Sequence, residues 1–137
     1  MKNLGIDIHK RSGLAVLKDE EGNIMESLRF SNDRRGISRL IRMLEPHGDV
    51  RAALEASGNF WIRLYEALEE SGVEVLLSNP MKTRAIAEAR IKSDKLDASI
   101  LADLVRADLV AESYVPPREV RDRRTLLRYR VGSSGAV

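Results

Sequence analysis

The chain has 137 residues, 43% of them hydrophobic, enough to bury the core of one globular domain. It carries no cysteine, which excludes disulfides and thiolate metal sites within it; with no apolar run long enough for a membrane helix and no leader pattern, neither a membrane span nor export is expected, and a reducing cytoplasm is the expected setting. A net charge of +2 is too small to name an anionic partner by itself, so the distribution of charge matters more than its total.

In chain order, "NLGIDIH" (3–9) alternates Leu4, Ile6 and Ile8 with Gly5, Asp7 and His9, the period of a strand. "GLAVLKDEEGNIMESLRF" reads as a hairpin, with strands at 13–18 and 24–30 and a turn at Glu21-Gly22-Asn23. Asn32 or Asp33 caps a helix bearing Ile37, Leu40, Ile41 and Leu44, which Pro46 and Gly48 end. "VRAALE" (50–55) is a short strand, and 59–71 is a helix with Trp61, Leu64, Tyr65 and Leu68 on one stripe, stopping at Gly72. Trp61 and Tyr65 have core spacing there. "VEVLL" (73–77) is a buried strand, and Asn79-Pro80 leads into a short helix near 81–90. The order βββαβαβ followed by helices predicts an α/β fold with a sheet of mixed direction, because its crossovers demand parallel neighbours.

The last helix raises a question of chemistry. From Leu96 onward, residues spaced at about 100° place Ile100, Leu101, Leu104, Val105 and Leu109 on one arc. Asp97 falls inside that apolar arc and Asp94 points the same way. Capping explains the helix start, with Asp94 as N-cap and Asp97 at the third helical position, where acids suit the exposed N–H groups. It does not explain the direction in which Asp97 faces. Asp7 lies within the first strand, and Glu55 ends the strand at 50–55, in segments that need no charge for stability. Working sites in open α/β sheets lie at the carboxyl ends of parallel strands. Two carboxylates about 5 Å apart repel by roughly 3 kcal/mol at an effective dielectric of 20, so a cluster of four requires a positive partner. Oxygen-only ligands suit a hard cation, Mg²⁺ or Mn²⁺, the ions that serve phosphodiester chemistry.

Three blocks, "LGIDIHKRSGLAVL", "ALEASGNFWIRLYEALEESGVEVLLSNP" and "AEARIKSDKLDASILADLVRADLVAESYVPP", together resemble the N-terminal RuvC-like domain of the DEDD-type insertion-sequence transposases. These are bridge-RNA-guided recombinases related to site-specific DNA invertases. The resemblance runs from about residue 3 to 131. It implies a ribonuclease H-like fold, DNA and a structured guide RNA as partners, a homo-oligomer, and work on nucleoid DNA in a prokaryotic cytoplasm. It also implies that Asp7, Glu55, Asp94 and Asp97 bind Mg²⁺ or Mn²⁺ as catalytic residues. The expected organisation is a metal-binding catalytic domain at 1–113, the start of a basic helical linker at 114–131, and a truncated or disordered tail at 132–137. The family's second domain carries a nucleophilic serine. Ser133 and Ser134 lie in a Gly/Ser-rich tail unlike it, so the chain reads as a catalytic half that cleaves little DNA alone.

The candidate phosphate contacts are Lys92 and Lys95, which flank Asp94, and Arg118, Arg121, Arg124 and Arg128 in the basic stretch after Pro117. Arg35, Arg39 and Arg42 share a helix face and read as a solvated stripe. His9, beside Asp7, reads as a pairing or packing residue in preference to an acid–base group. The alternative function is a catalytically incomplete nucleic-acid-binding or assembly fragment. A phosphotransferase of the actin and sugar-kinase type would need glycine-rich phosphate loops, and "DIHKRSG" supplies a single glycine after Asp7.

Overall fold

In the computed structural model, residues 1–56, 58–93 and 96–117 are described. Strands β1 (Lys2–Ile8), β2 (Ser12–Lys18), β3 (Ile24–Ser31), β4 (Val50–Ala56) and β5 (Glu74–Leu77) form one sheet in the order β3-β2-β1-β4-β5. β1 is central. It pairs antiparallel with β2 and parallel with β4, and β4 pairs parallel with β5, so the sheet is mixed as the element order predicts.

The helices are α1 (Arg34–Leu44), α2 (Ile62–Glu70), α3 (Pro80–Ile86) and α4 (Ala98–Arg106). Asp33 is the N-cap of α1, and its carboxylate accepts from the Gly36 N–H at 2.8 Å and the Ser31 hydroxyl at 2.9 Å. Asn79 caps α3, with Pro80 in its first turn, and a wider π turn at Ala87–Ile91 follows. α2 is shorter than the periodicity suggests, since Asn59 to Trp61 form a turn before it.

Alternation along β1 sorts the two faces. Leu4, Ile6 and Ile8, with Ala52 and Leu54 of β4, face α1 and α2 and pack on Ile37, Leu40, Leu64 and Leu68 in the main core. Trp61 and Tyr65 join that core edge-to-face, with centroids 5.5 Å apart, as their spacing predicts. Gly5, Asp7, Ala53 and Glu55 point to the other face, where Ala53 packs on Leu101, Leu104 and Val105 of α4. α4 seats very close to β1: a Cβ on Gly5 would lie 2.0 Å from the Ala98 carbonyl oxygen and 2.5 Å from the Ala102 nitrogen.

Two ion pairs fix which way α4 runs. Buried Lys18, at the end of β2, reaches Asp103 at 2.9 Å, and Arg51, at the start of β4, reaches Asp108 at 2.8 Å. Both tie the carboxyl end of α4 to the amino end of β1 and β4. The amino end of α4 therefore lies over the carboxyl ends of those strands, the side of the sheet where Asp7 and Glu55 sit. Among the described residues no helix is long and apolar enough to cross a membrane.

Candidate metal centre

Asp7 and Glu55 are direct register partners on adjacent parallel strands. Partners in a parallel pair project to the same face, so the sequence expectation that these two acids meet holds. The Glu55 side chain is 10% exposed and that of Asp7 32%. Glu55 has a carboxyl pKa raised above its ordinary value, first by burial and further by the nearby Asp7 charge, while the Arg84 guanidinium opposes the shift. Arg84, on α3, reaches Glu55 at 3.3 Å and is itself 64% exposed. His9 Nε2 lies 3.2 Å from Asp7, which selects pairing over packing, the two roles its sequence position left open. Among the described residues, each acid thus has a basic group within ion-pair distance.

Asp97 differs from its sequence reading. α4 starts at Ala98, and Asp97 is its N-cap in extended backbone (φ −110°, ψ −179°), accepting from the Ile100 N–H at 2.9 Å. An N-cap lies outside the helix, so the 100° phase that put Asp97 in the apolar arc does not apply, and its side chain is exposed. Its position at the amino end of α4 nevertheless sets it at the same end of the sheet as Asp7 and Glu55. Asp94, Lys95, Arg118, Arg121, Arg124 and Arg128 lie outside the described residues, as do the tail serines. Lys92 is exposed and left-handed (φ 64°) at the end of the π turn. Arg35, Arg39 and Arg42 are exposed on α1. Among the described residues, no three His, Asp or Glu side chains form a group that could hold a metal ion.

Capping and charge at Asp97 are separable. Asp97→Ala is expected to cost about 1 kcal/mol in urea unfolding, the usual loss of an N-cap. Asp97→Asn keeps a capping oxygen and should leave stability near that of the parent. Loss of Mn²⁺ affinity in Asp97→Asn, measured by calorimetry, would then report a ligand, and unchanged affinity a cap alone.

Sequence reasoning missed Arg84. It faces Glu55 only because β5 lies beside β4 and α3 returns over them, and no local pattern announces that adjacency. The spacing of the matched blocks does find counterparts. A family model for the IS110 DEDD transposases, described as Transposase, matches residues 4–136. The chain belongs to that family. The protein assigned as transposase for the IS117 mini-circle of Streptomyces coelicolor is 30% identical to it over 121 residues, 82% of this chain and 28% of that protein. The chain therefore spans just over a quarter of that relative's length. Among solved structures, T. thermophilus RuvC in complex with a Holliday junction substrate superposes with a TM-score of 0.58. The identity there is 14%, over 82% of this chain and 99% of RuvC, a likeness of fold alone. The IS110-family chain is thus a RuvC-like, ribonuclease H-like domain, as its sequence resemblance implies.

Proposed function

We propose that this IS110-family domain carries the metal-dependent phosphodiester chemistry of DNA transposition. The in-register pairing of Asp7 with Glu55, on the face and at the sheet end where α4 begins, supports the reading most directly. Asp7, Glu55, Asp94 and Asp97 would hold Mg²⁺ or Mn²⁺. The donor chemistry fits: Asp7, Glu55 and Asp97 offer oxygens alone, and Glu55 is a nearly buried carboxylate that relies on one exposed arginine for neutralisation. When bound, the ion supplies Lewis-acid stabilisation of charge on phosphoryl oxygens.

The chain's own groups prepare that site. Arg84 partly offsets the Glu55 charge while keeping a guanidinium open to solvent, where it can turn to a phosphate. The His9 ring on Asp7 can hold a proton at Nε2. Lys92, with Lys95, Arg118, Arg121, Arg124 and Arg128, completes the proposed phosphate contacts. The partners in this reading are DNA, a structured guide RNA and further copies of the chain, at nucleoid DNA in a prokaryotic cytoplasm. Strand exchange requires a nucleophile that holds the cut end covalently, and the family's serine-bearing domain supplies it.

One observation favours a second reading, a nucleic-acid-binding or assembly module: among the described residues only Asp7 and Glu55 are paired as acids in register. One experiment separates the two. The purified chain is incubated with Mg²⁺, structured RNA and labelled duplex DNA at low and high salt, with and without the serine-bearing domain. Binding should fade with salt, because each phosphate contact releases counterions. Covalent strand joining should require the second domain and disappear in Asp7→Asn. Efficient joining by this chain alone, or binding indifferent to salt, would overturn the proposal. Salt-sensitive binding with no metal-dependent product, even with the second domain, selects the module.

A further inference from the structure

At the same end of the sheet, on the side of α1 and α2, a cavity of about 230 Å³ is lined by Lys10, Asn32, Phe60 and Arg63. It is built from two loops held by one side chain. The Asn32 amide nitrogen donates to the His9 carbonyl at 2.9 Å and to the Phe60 carbonyl at 3.1 Å, tying the β1–β2 turn to the turn before α2. Those bonds use both amide hydrogens and leave Oδ1 as an acceptor. Phe60 is 40% exposed, an aromatic ring left beside water. Among the described residues, the ion pairs involve neither Lys10 nor Arg63. His9, whose carbonyl helps hold the two loops together, carries the imidazole that meets Asp7 at 3.2 Å.

An exposed ring, two cations outside the ion pairs of the described residues and a polar acceptor are the parts a nucleotide uses: a face for its base, charge for its phosphates, an acceptor for an exocyclic amine. A free inorganic anion has no use for the ring, and an apolar ligand none for the cations. A base stacked within a duplex has no free face to offer. We propose that this pocket seats one unpaired nucleotide of the DNA strand handled at Asp7 and Glu55, its base on Phe60 and its flanking phosphates at Lys10 and Arg63. The inference rests on the nucleic-acid reading above and adds to it the strandedness of the substrate and the residues that sense it.

The test uses the full chain without metal and a labelled single strand of roughly twelve nucleotides carrying 2-aminopurine, beside its duplex and an RNA of the same sequence. The single strand should bind more tightly than the duplex and quench the 2-aminopurine signal. Phe60→Leu, at a half-exposed position that should leave the melting temperature unchanged, should weaken single-strand binding about tenfold and abolish the quench. Replacing Lys10 and Arg63 together by Ala should lower the salt slope by about 1.4, the share of two single-strand phosphate contacts. Replacing Arg39 and Arg42 of α1 together by Ala, an equal charge change at two exposed positions, should alter neither quantity. Quench and affinity that survive Phe60→Leu would overturn the pocket while leaving DNA binding standing. RNA bound more tightly than DNA through Phe60 would overturn the assignment to the DNA strand. A wild-type chain that binds no nucleic acid at any salt would overturn the proposed function, and the pocket with it.

Discussion

Gly5→Ala is expected to lower stability by about 4 kcal/mol or more, a shift of roughly 15 °C in melting temperature for a domain of this size. The added methyl would lie 2.0 Å from the Ala98 carbonyl oxygen and 2.5 Å from the Ala102 nitrogen, both backbone atoms of α4. An overpacked core methyl usually costs about 1–3 kcal/mol because side chains give way. Here the obstacle is the helix itself, pinned at its other end by Lys18–Asp103 and Arg51–Asp108, so the helix must lift or the strand must bend. Since folded domains are stable by only about 5–15 kcal/mol, the variant should sit close to unfolding. Gly48→Ala gives the comparison. Gly48 has φ 73° and ψ −132°, a conformation that residues other than glycine rarely adopt, but open space around it, so Ala there costs backbone strain alone, about 1–3 kcal/mol. Urea titrations of the two variants decide the matter, and a Gly5→Ala loss no larger than that of Gly48→Ala would mean α4 is not seated on β1. The folded fraction of Gly5→Ala should also bind Mn²⁺ less tightly if Asp97 is a ligand, because lifting α4 moves Asp97 away from Asp7 and Glu55.

That glycine marks the border of what the sequence discloses. Alternation in "NLGIDIH" identifies β1 and its two faces, and the crossover between 33 and 49 identifies β4 as a parallel neighbour, so the meeting of Asp7 and Glu55 is legible from periodicity and topology alone. The same alternation says nothing of why Gly stands at 5, because the reason is a helix almost a hundred residues later. Pattern places the start of α4 too early for a local reason. Asp94 and Asp97 both suit a cap, both precede the same apolar run, and pattern cannot choose between starts three residues apart. The bond from the Ile100 N–H to Asp97 makes the choice, and with it turns an apparently inward acid into an exposed one. Arg84 and the Lys10–Phe60–Arg63 pocket were illegible because their members converge only through strand order and loop packing.

Glu55→Gln is expected to leave the metal-free domain as stable as the parent or more so at neutral pH, and to weaken Mn²⁺ or Mg²⁺ binding by at least about 100-fold. Loss of an outer-shell partner of a metal ligand typically costs about 10–100-fold, and loss of a ligand's own charge should exceed that. Stability moves the other way because ionised Glu55 is crowded. Burial is the larger cause of its raised pKa and the Asp7 charge a further one, while Arg84, mostly exposed, only partly offsets them. The sign follows from linkage. The folded chain holds the Glu55 proton more tightly than the unfolded chain, whose ordinary value is 4.5, so the stabilising contribution is full below that value. It is lost as pH rises through the raised folded pKa. Metal-free stability of the parent should therefore decline over that window more steeply than that of Glu55→Gln, the difference between the two curves reporting this one group. Saturating Mn²⁺ should reverse their order at neutral pH, since an ion that binds only the folded state stabilises the parent in proportion to its affinity. Thermal melts of both proteins from acid to neutral pH, with and without Mn²⁺, together with calorimetric titration, measure each part. Equal Mn²⁺ affinity in the two proteins, with Glu55→Gln the less stable, would make Glu55 a structural partner of Arg84 and remove it from the metal site.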